Sequence, residues 1–158
     1  MLVLPGCTPA SAARGQTPED AKEYLRTLPG IAAAEVSVEQ STSGLDASNS
    51  NRALIILTLE PESTNETIAD SEIDAIVQTG WSVHASRELA NGVGIGVRGA
   101  PDLSVGKLLQ RSGWVEEGAA VPGRTSAIVP ASLLRERLGE WPAAAPTAMQ
   151  CRMSSCGG

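Results

Sequence analysis

The sequence has few aromatic side chains and no concentration of positive charge. Phe is absent, and one Tyr and three Trp are the only large aromatic residues among 158, so the core is expected to consist of Leu, Ile, Val and Ala. Lys and Arg number 12 against 18 Asp and Glu, which gives a formal charge of −6. Because binding to phosphates needs a basic footprint, we expect no nucleic-acid partner. The 42% of hydrophobic residues suffice for one packed globular domain.

Long apolar runs and metal-binding side chains are also scarce. No stretch of about 18 apolar residues occurs, so no transmembrane helix is predicted within the sequence. His84 is the only histidine, and it lies far in sequence from the three cysteines. Because a zinc site needs three or four such ligands, we predict no metal site. No other cofactor is predicted.

The first seven residues carry the most informative pattern. Leu4-Pro5-Gly6-Cys7 is followed by a small and polar stretch, residues 8–16. This pattern resembles the lipobox at the end of a bacterial lipoprotein signal peptide. The resemblance implies that Cys7 carries a diacylglycerol group, that the chain is cut before it, and that residues 8–16 act as a flexible tether. It therefore implies a protein held on the extracytoplasmic face of the cell membrane by a lipid on Cys7.

Two cysteines remain once Cys7 is assigned to the lipid, and both lie in a tail of residues 142–158 that is rich in Ala and Pro. In an exported protein, Cys151 and Cys156 could form a disulfide. The loop that it closes is short, so it would add little stability. The alternative, two tail thiols without a function, stays open at the level of sequence.

Residues 17–141 are predicted to form a single domain. Thr17 and Pro18 are typical of a helix start, and an alternating strand follows around Val36. The nearly continuous apolar run of residues 53–59 predicts a central strand.

A second round of helix and strands is predicted downstream. A helix with Ile73 and Ile76 on its apolar face is expected to end at Gly80. Residues 81–86 and 93–97 both alternate between apolar and polar or small residues, and they are predicted to pair as a hairpin.

The third round consists of a helix ended by Gly113, weaker strands near residues 114–121 and 125–129, and a last short helix opened by Pro130. These elements favour a two-layer α+β fold, in which helices pack on one face of a mostly antiparallel sheet. The α-β-β units could be internal repeats.

The tryptophans and the acidic segment have structural interpretations. Trp81 and Trp114 occupy the same junction in successive units, so we predict that both are buried near the starts of strands. The acidic residues between Glu60 and Asp74 are interpreted as the solvated entrance of a helix, where the helix dipole favours negative charge.

One glycine motif resembles a nucleotide-binding signature but has the wrong context. Gly94-Ile95-Gly96-Val97-Arg98-Gly99 matches G-x-G-x-x-G, yet the alternation of aliphatic residues predicts a strand where a dinucleotide site needs a helix. We therefore expect the glycines to permit a close approach of neighbouring groups, without binding a nucleotide.

Two weak catalytic patterns remain. Ser104 and Lys107 match S-x-x-K, and His84 could belong to a Ser-His-Asp triad. The companion motifs of these hydrolases are missing, Ser104 is more simply a helix cap, and His84 falls on the polar face of its strand. We therefore predict no catalytic residues, with a hydrolase that uses Ser104 and Lys107 or His84 as the alternative.

These inferences favour a non-catalytic binding or scaffold module of the cell envelope. Its contacts, with an envelope protein or an extracellular ligand, would be made by the glycine-rich strand and by a polar loop, residues 41–51. A cytosolic regulatory module with an accidental lipobox is a further alternative.

Overall fold

Four strands form one sheet, and the helices pack on one of its faces. The computed structural model describes residues 14–42, 49–116 and 125–146. The elements in chain order are α1 (Pro18–Leu25), β1 (Ile31–Thr42), β2 (Asn49–Leu59), α2 (Asp70–Trp81), β3 (Val93–Arg98), α3 (Val105–Arg111), β4 (Ser126–Val129) and α4 (Ala131–Leu138). The spatial order of the strands is β1-β2-β3-β4. The predicted α+β class is confirmed.

The two faces of the sheet differ in burial because successive strand residues point in opposite directions. In β2, Ala53, Ile55 and Leu57 are buried and belong to the core, together with residues of the helices. Leu54 and Ile56 point to the opposite face and are only half-buried. Helices therefore cover one face of the sheet, as predicted.

The sheet is mixed, although two of its three strand pairs are antiparallel. β1 pairs with β2 and β3 with β4 in antiparallel fashion. β2 and β3 are parallel, with Ile55 opposite Ile95. The connection between them contains α2, which is the usual way to join parallel neighbours.

The hairpin predicted for residues 81–86 and 93–97 is wrong. Trp81 is the last residue of α2, and Val83 makes only an isolated parallel bridge with Gln16. β3 pairs with β2 and β4 instead. An α-β-β unit consequently occurs once among the described elements, at α1-β1-β2, while α2 and α3 are each followed by a single strand.

Gly80 lies inside α2 and does not end it. A Cβ at this position would stand 2.4 Å from Cγ1 of Val93 and 3.2 Å from Cδ1 of Ile55. Glycine is therefore needed for the close approach of the helix to the sheet, and this tertiary requirement overrides its low helix propensity.

The predicted burial of Trp81 and Trp114 is confirmed, since they are 0% and 1% exposed. Their predicted positions at strand starts are wrong, because Trp81 ends α2 and Trp114 follows α3. Both sit at helix ends. The indole Nε1–H of Trp81 donates to the backbone oxygen of Gly139 at 3.0 Å, so the ring is buried with its polar atom satisfied.

Residues on both sides of the range 17–141 make backbone hydrogen bonds to the domain. The backbone N–H of Gln16 donates to the Ser82 oxygen at 2.8 Å, and the Gln16 oxygen accepts from the His84 N–H at 2.8 Å. Gly15 donates its N–H to the Ala143 oxygen at 3.0 Å. The segment that enters α1 is therefore fixed to the end of α2 and to the chain beyond α4.

Candidate functional site

A cavity of about 370 Å³ lies between the helices and the sheet. It is formed at the carboxyl ends of β2 and β3, where Leu57 and Leu59 meet Ile95 and Val97. These four side chains are buried and face the helices. The carboxyl end of parallel strands is a common place for ligand sites in α/β proteins, and here one parallel pair suffices to create the crevice.

The walls of the cavity are aliphatic. α2 contributes Ile73 and Ile76, and α3 contributes Val105 and Leu108. All four are largely shielded from solvent. A close-packed interior has few voids larger than a water molecule, so an aliphatic cavity of this size is a distinct feature of the fold.

Arg111 fixes the loop that closes one side of the cavity. Its Nε–H donates to Asp70 Oδ1 at 2.6 Å, and its terminal N–H groups donate to the backbone oxygens of Asn65 and Ile68 at 2.6 and 2.5 Å. The hydrogen bond from Arg111 also holds the pKa of the Asp70 carboxyl below its ordinary value. Ile68, which lines the cavity, is thereby attached to α3.

The cavity opens at a rim that we call the mouth, which consists of Pro29, Gly30, Glu60, Glu62, Thr67 and Glu72. The backbone N–H of Glu60 donates to the Gly30 oxygen at 2.9 Å, which joins the two sides of the mouth. Gly30 has a φ of +76°, a conformation that favours glycine. The backbone of Glu60 is thereby held against the turn at Gly30.

Glu72 is the least exposed of the three acidic residues at the mouth. It is the third residue of α2, and its carboxylate accepts a hydrogen bond from the backbone N–H of Ala69, the residue that caps the helix. Burial raises the pKa of Glu72, while this hydrogen bond opposes the rise. Glu72 thus carries a charge whose solvation is incomplete.

The acidic segment between Glu60 and Asp74 is more than a solvated helix entrance. Asp70 pairs with Arg111, whereas Glu60, Glu62 and Glu72 surround the mouth. Sequence reasoning missed this role, because nothing in the local pattern reveals that the ends of β2 and β3 create a cavity beside these acids.

The residues weighed as a Ser-Lys pair serve another purpose. Ser104 Oγ accepts the backbone N–H of Lys107 at 3.4 Å and caps α3, as the capping interpretation expects. The Lys107 side chain is exposed. Neither residue lines the cavity.

His84 lies at the opposite end of α2 from the mouth. Its ring covers the backbone of Gly15, where an added Cβ would stand 2.3 Å from Cε1. The side chain is exposed on its other side. The catalytic candidates from the sequence are Ser104, Lys107 and His84. The structure therefore does not bring them together around the cavity.

The remaining predicted site residues fall in two groups. Cys7, Cys151 and Cys156 lie outside the described residues. Gly94 and Gly96 lie in the middle of β3, as the predicted strand requires, and the next helix begins at Val105 rather than at Gly99. These strand glycines face the side of the sheet opposite to the described helices, next to Leu54 and Ile56.

The described part of the chain has neither a candidate metal site nor a candidate membrane-spanning helix. It contains no group of three or more His, Cys, Asp or Glu side chains that could hold a metal ion. Within the same ranges, no helix combines the length and the apolar character needed to cross a membrane.

No protein-family model matches the chain, and no curated protein matches it. The apolar walls of the cavity can hold an aliphatic group, and the polar side chains that line it are those of the mouth and of Ser63. The hydroxyl of Thr67 at the mouth is already engaged, because it donates to the Thr64 oxygen and accepts from the Thr64 N–H.

Proposed function

We propose that this protein is an extracytoplasmic, membrane-anchored binding module that holds the aliphatic part of a small ligand between α2, α3 and the sheet. The observation that carries the proposal is the aliphatic cavity of about 370 Å³. Ligand sites typically have volumes of about 300–1,000 Å³ and mostly apolar linings with a few polar groups. The cavity has both properties.

The anchor is proposed from the lipobox-like pattern that ends at Cys7. A diacylglyceryl group supplies two acyl chains, which is enough for stable attachment to a membrane.

The position of the tether suits a binding role. Gln16 is hydrogen-bonded to Ser82 and His84 just beyond the end of α2, whereas Glu72 lies in its first turn. Ser82 follows Glu72 by ten positions, which corresponds to about 15 Å along the helix axis at the helical rise per residue. Residues 14–16 are therefore attached at the end of α2 that is remote from the mouth, and an anchor reached through them would leave the mouth accessible to ligand.

The binding part can be tested with an uncharged apolar dye. N-phenyl-1-naphthylamine becomes fluorescent in apolar surroundings, and titration with the full chain should give saturable fluorescence. Val97→Phe would fill the cavity with a larger side chain, so we expect it to weaken dye binding about tenfold or more without lowering the melting temperature by more than a few degrees.

The matched control is Ile56→Phe, which adds a ring to the face of the same sheet opposite to the described helices. It should leave dye binding unchanged. Ile73→Phe provides a second cavity-filling variant from α2. Absence of dye binding by the wild-type chain, or equal binding by the cavity-filling and control variants, would refute the proposal.

A further inference from the structure

The mouth of the cavity has an unbalanced negative charge. Six ion pairs connect described residues, and none of them involves Glu60, Glu62 or Glu72. No Lys, Arg or His lines the cavity. The three carboxylates are therefore left without a cationic partner among the residues that the structure describes.

The arrangement of these carboxylates does not suit a metal ion. Metal coordination requires side-chain oxygens that converge on one point, and the described residues contain no such group. Glu60 and Glu62 follow β2, whereas Glu72 belongs to α2. Carboxylates distributed around an opening are better matched to a large organic cation with diffuse charge.

The cavity behind the mouth determines which part of a ligand can enter it. Its lining, which includes Leu57 and Leu108, is aliphatic, so the part of a ligand that enters must be apolar. A charged head cannot follow without losing its hydration, and it would stay at the mouth. The low polarity of the walls also strengthens the effect of the carboxylates on a charge beside them.

On the basis of the proposed function, we propose that the natural ligand class is a single-chain aliphatic ammonium compound, whose tail fills the cavity and whose cationic head lies among Glu60, Glu62 and Glu72. Aliphatic carboxylates of the same length are disfavoured because their head would face three like charges. Neutral alcohols have intermediate affinity, since they make the apolar contacts but their heads are neither attracted nor repelled by the charge of the carboxylates.

The burial of Glu72 gives this selectivity an additional physical basis. Burial raises the pKa of its carboxyl because the ionised form is incompletely solvated. An ammonium head would replace part of the missing solvation. Cation binding should consequently favour the ionised form of Glu72.

The experiment compares three ligands with the same ten-carbon tail. Decylammonium, decanol and decanoate are titrated against the full chain near neutral pH, below their micelle-forming concentrations, by displacement of N-phenyl-1-naphthylamine. We expect decylammonium to bind about tenfold or more tightly than decanoate, with decanol between them. The difference should shrink at about 0.5 M salt, because the mouth is partly exposed.

Charge-neutralising variants test which carboxylates are responsible. The combined substitution Glu60→Gln and Glu62→Gln should reduce the preference for decylammonium over decanoate about threefold or more while leaving decanol affinity unchanged. Glu23→Gln removes one negative charge from the exposed surface of α1, away from the cavity, and serves as the control.

The outcomes separate the two proposals. Decanol binding with equal affinities for decylammonium and decanoate would overturn the charge selectivity and leave the aliphatic site intact. Failure of all three ligands to displace the dye would overturn both. A preference for decylammonium that survives in the combined glutamine variant would also overturn the assignment of the head to the mouth.

Discussion

The guanidinium group of Arg137 lies over the indole ring of Trp114, with 3.7 Å between Cζ and the ring centroid. The indole Nε1–H donates to Asp74 Oδ1 at 2.7 Å, and Arg137 donates to the Ser112 oxygen at 3.1 Å. Since Arg137 belongs to α4 and Asp74 to α2, one buried ring connects two helices at the end of α3.

Truncation of this ring should be far more damaging than removal of the cation above it. We expect Trp114→Ala to lower the free energy of unfolding by about 3–5 kcal/mol, because a large buried aromatic group is lost. Arg137→Ala should lower it by about 0.5–1 kcal/mol, the usual contribution of a partly exposed cation–π contact. Urea denaturation measures both values, and equal losses would contradict the assignment of Trp114 as a core anchor.

Local signals in the sequence were sufficient for several elements. Thr17 accepts the N–H of Asp20 at 3.1 Å and caps α1, as its position before Pro18 predicts. The apolar run of residues 53–59 lies in β2, which is flanked by strands on both sides. In these places propensity, capping and burial pattern agree, so the prediction needs no knowledge of the rest of the fold.

Prediction failed where a tertiary contact outweighs a local signal. Gly80 looks like a helix stop, but its lack of a side chain accommodates Val93 of the neighbouring strand. Helix α2 consequently continues to Trp81, and β3 pairs in parallel with β2. No local pattern within residues 70–97 indicates how closely α2 approaches the sheet in the folded protein.

The cavity was beyond sequence reasoning for the same reason. Leu57, Val97 and Val105 read as ordinary core residues, and only their three-dimensional arrangement leaves a space between them. The acids at 60, 62 and 72 were visible as a cluster. Their relation to that space depends on the parallel pairing of β2 and β3.

Ser104→Ala should affect stability and leave ligand binding intact. The variant loses the side-chain cap of α3, so we expect a loss of about 1 kcal/mol in the free energy of unfolding. Dye affinity should be unchanged, because Ser104 does not line the cavity. An ester substrate that the wild-type chain hydrolyses and Ser104→Ala does not would replace this interpretation with the hydrolase alternative.

Cys7→Ala should release the protein from the membrane. Cys7 is the residue to which the lipobox-like pattern assigns the lipid, and no other membrane attachment is proposed. In the precursor expressed in a bacterial host, the wild-type chain should partition into the detergent phase and the variant into the aqueous phase. Cys151→Ala is the matched control and should stay in the detergent phase, whereas a Cys7→Ala chain that remains with the membrane would refute lipid anchoring at this residue.

The raised pKa of Glu72 has a defined consequence for stability. A carboxyl whose pKa is higher in the folded chain than in the unfolded chain binds its proton more tightly when folded. The resulting stabilisation is complete below the ordinary pKa of glutamate and is lost as the pH rises through the higher folded-state value. At neutral pH the ionised Glu72 therefore opposes folding, with no Lys, Arg or His along the cavity to offset it.

Glu72→Gln should consequently raise the melting temperature near neutral pH while weakening the binding of decylammonium. Glutamine keeps an acceptor for the Ala69 N–H but carries no charge, so we expect a gain of about 1–2 °C that disappears below about pH 4, where the wild-type carboxyl is protonated. The affinity for decylammonium should fall about threefold, with that for decanol unchanged. Thermal unfolding of both chains across this pH range, paired with dye displacement, measures the two effects.

A charge that is retained for binding is expected to lower stability while it raises the affinity for a cation. A Glu72→Gln variant that is less stable near neutral pH, or that binds decylammonium as well as the wild-type chain, would remove Glu72 from the proposed head-group site.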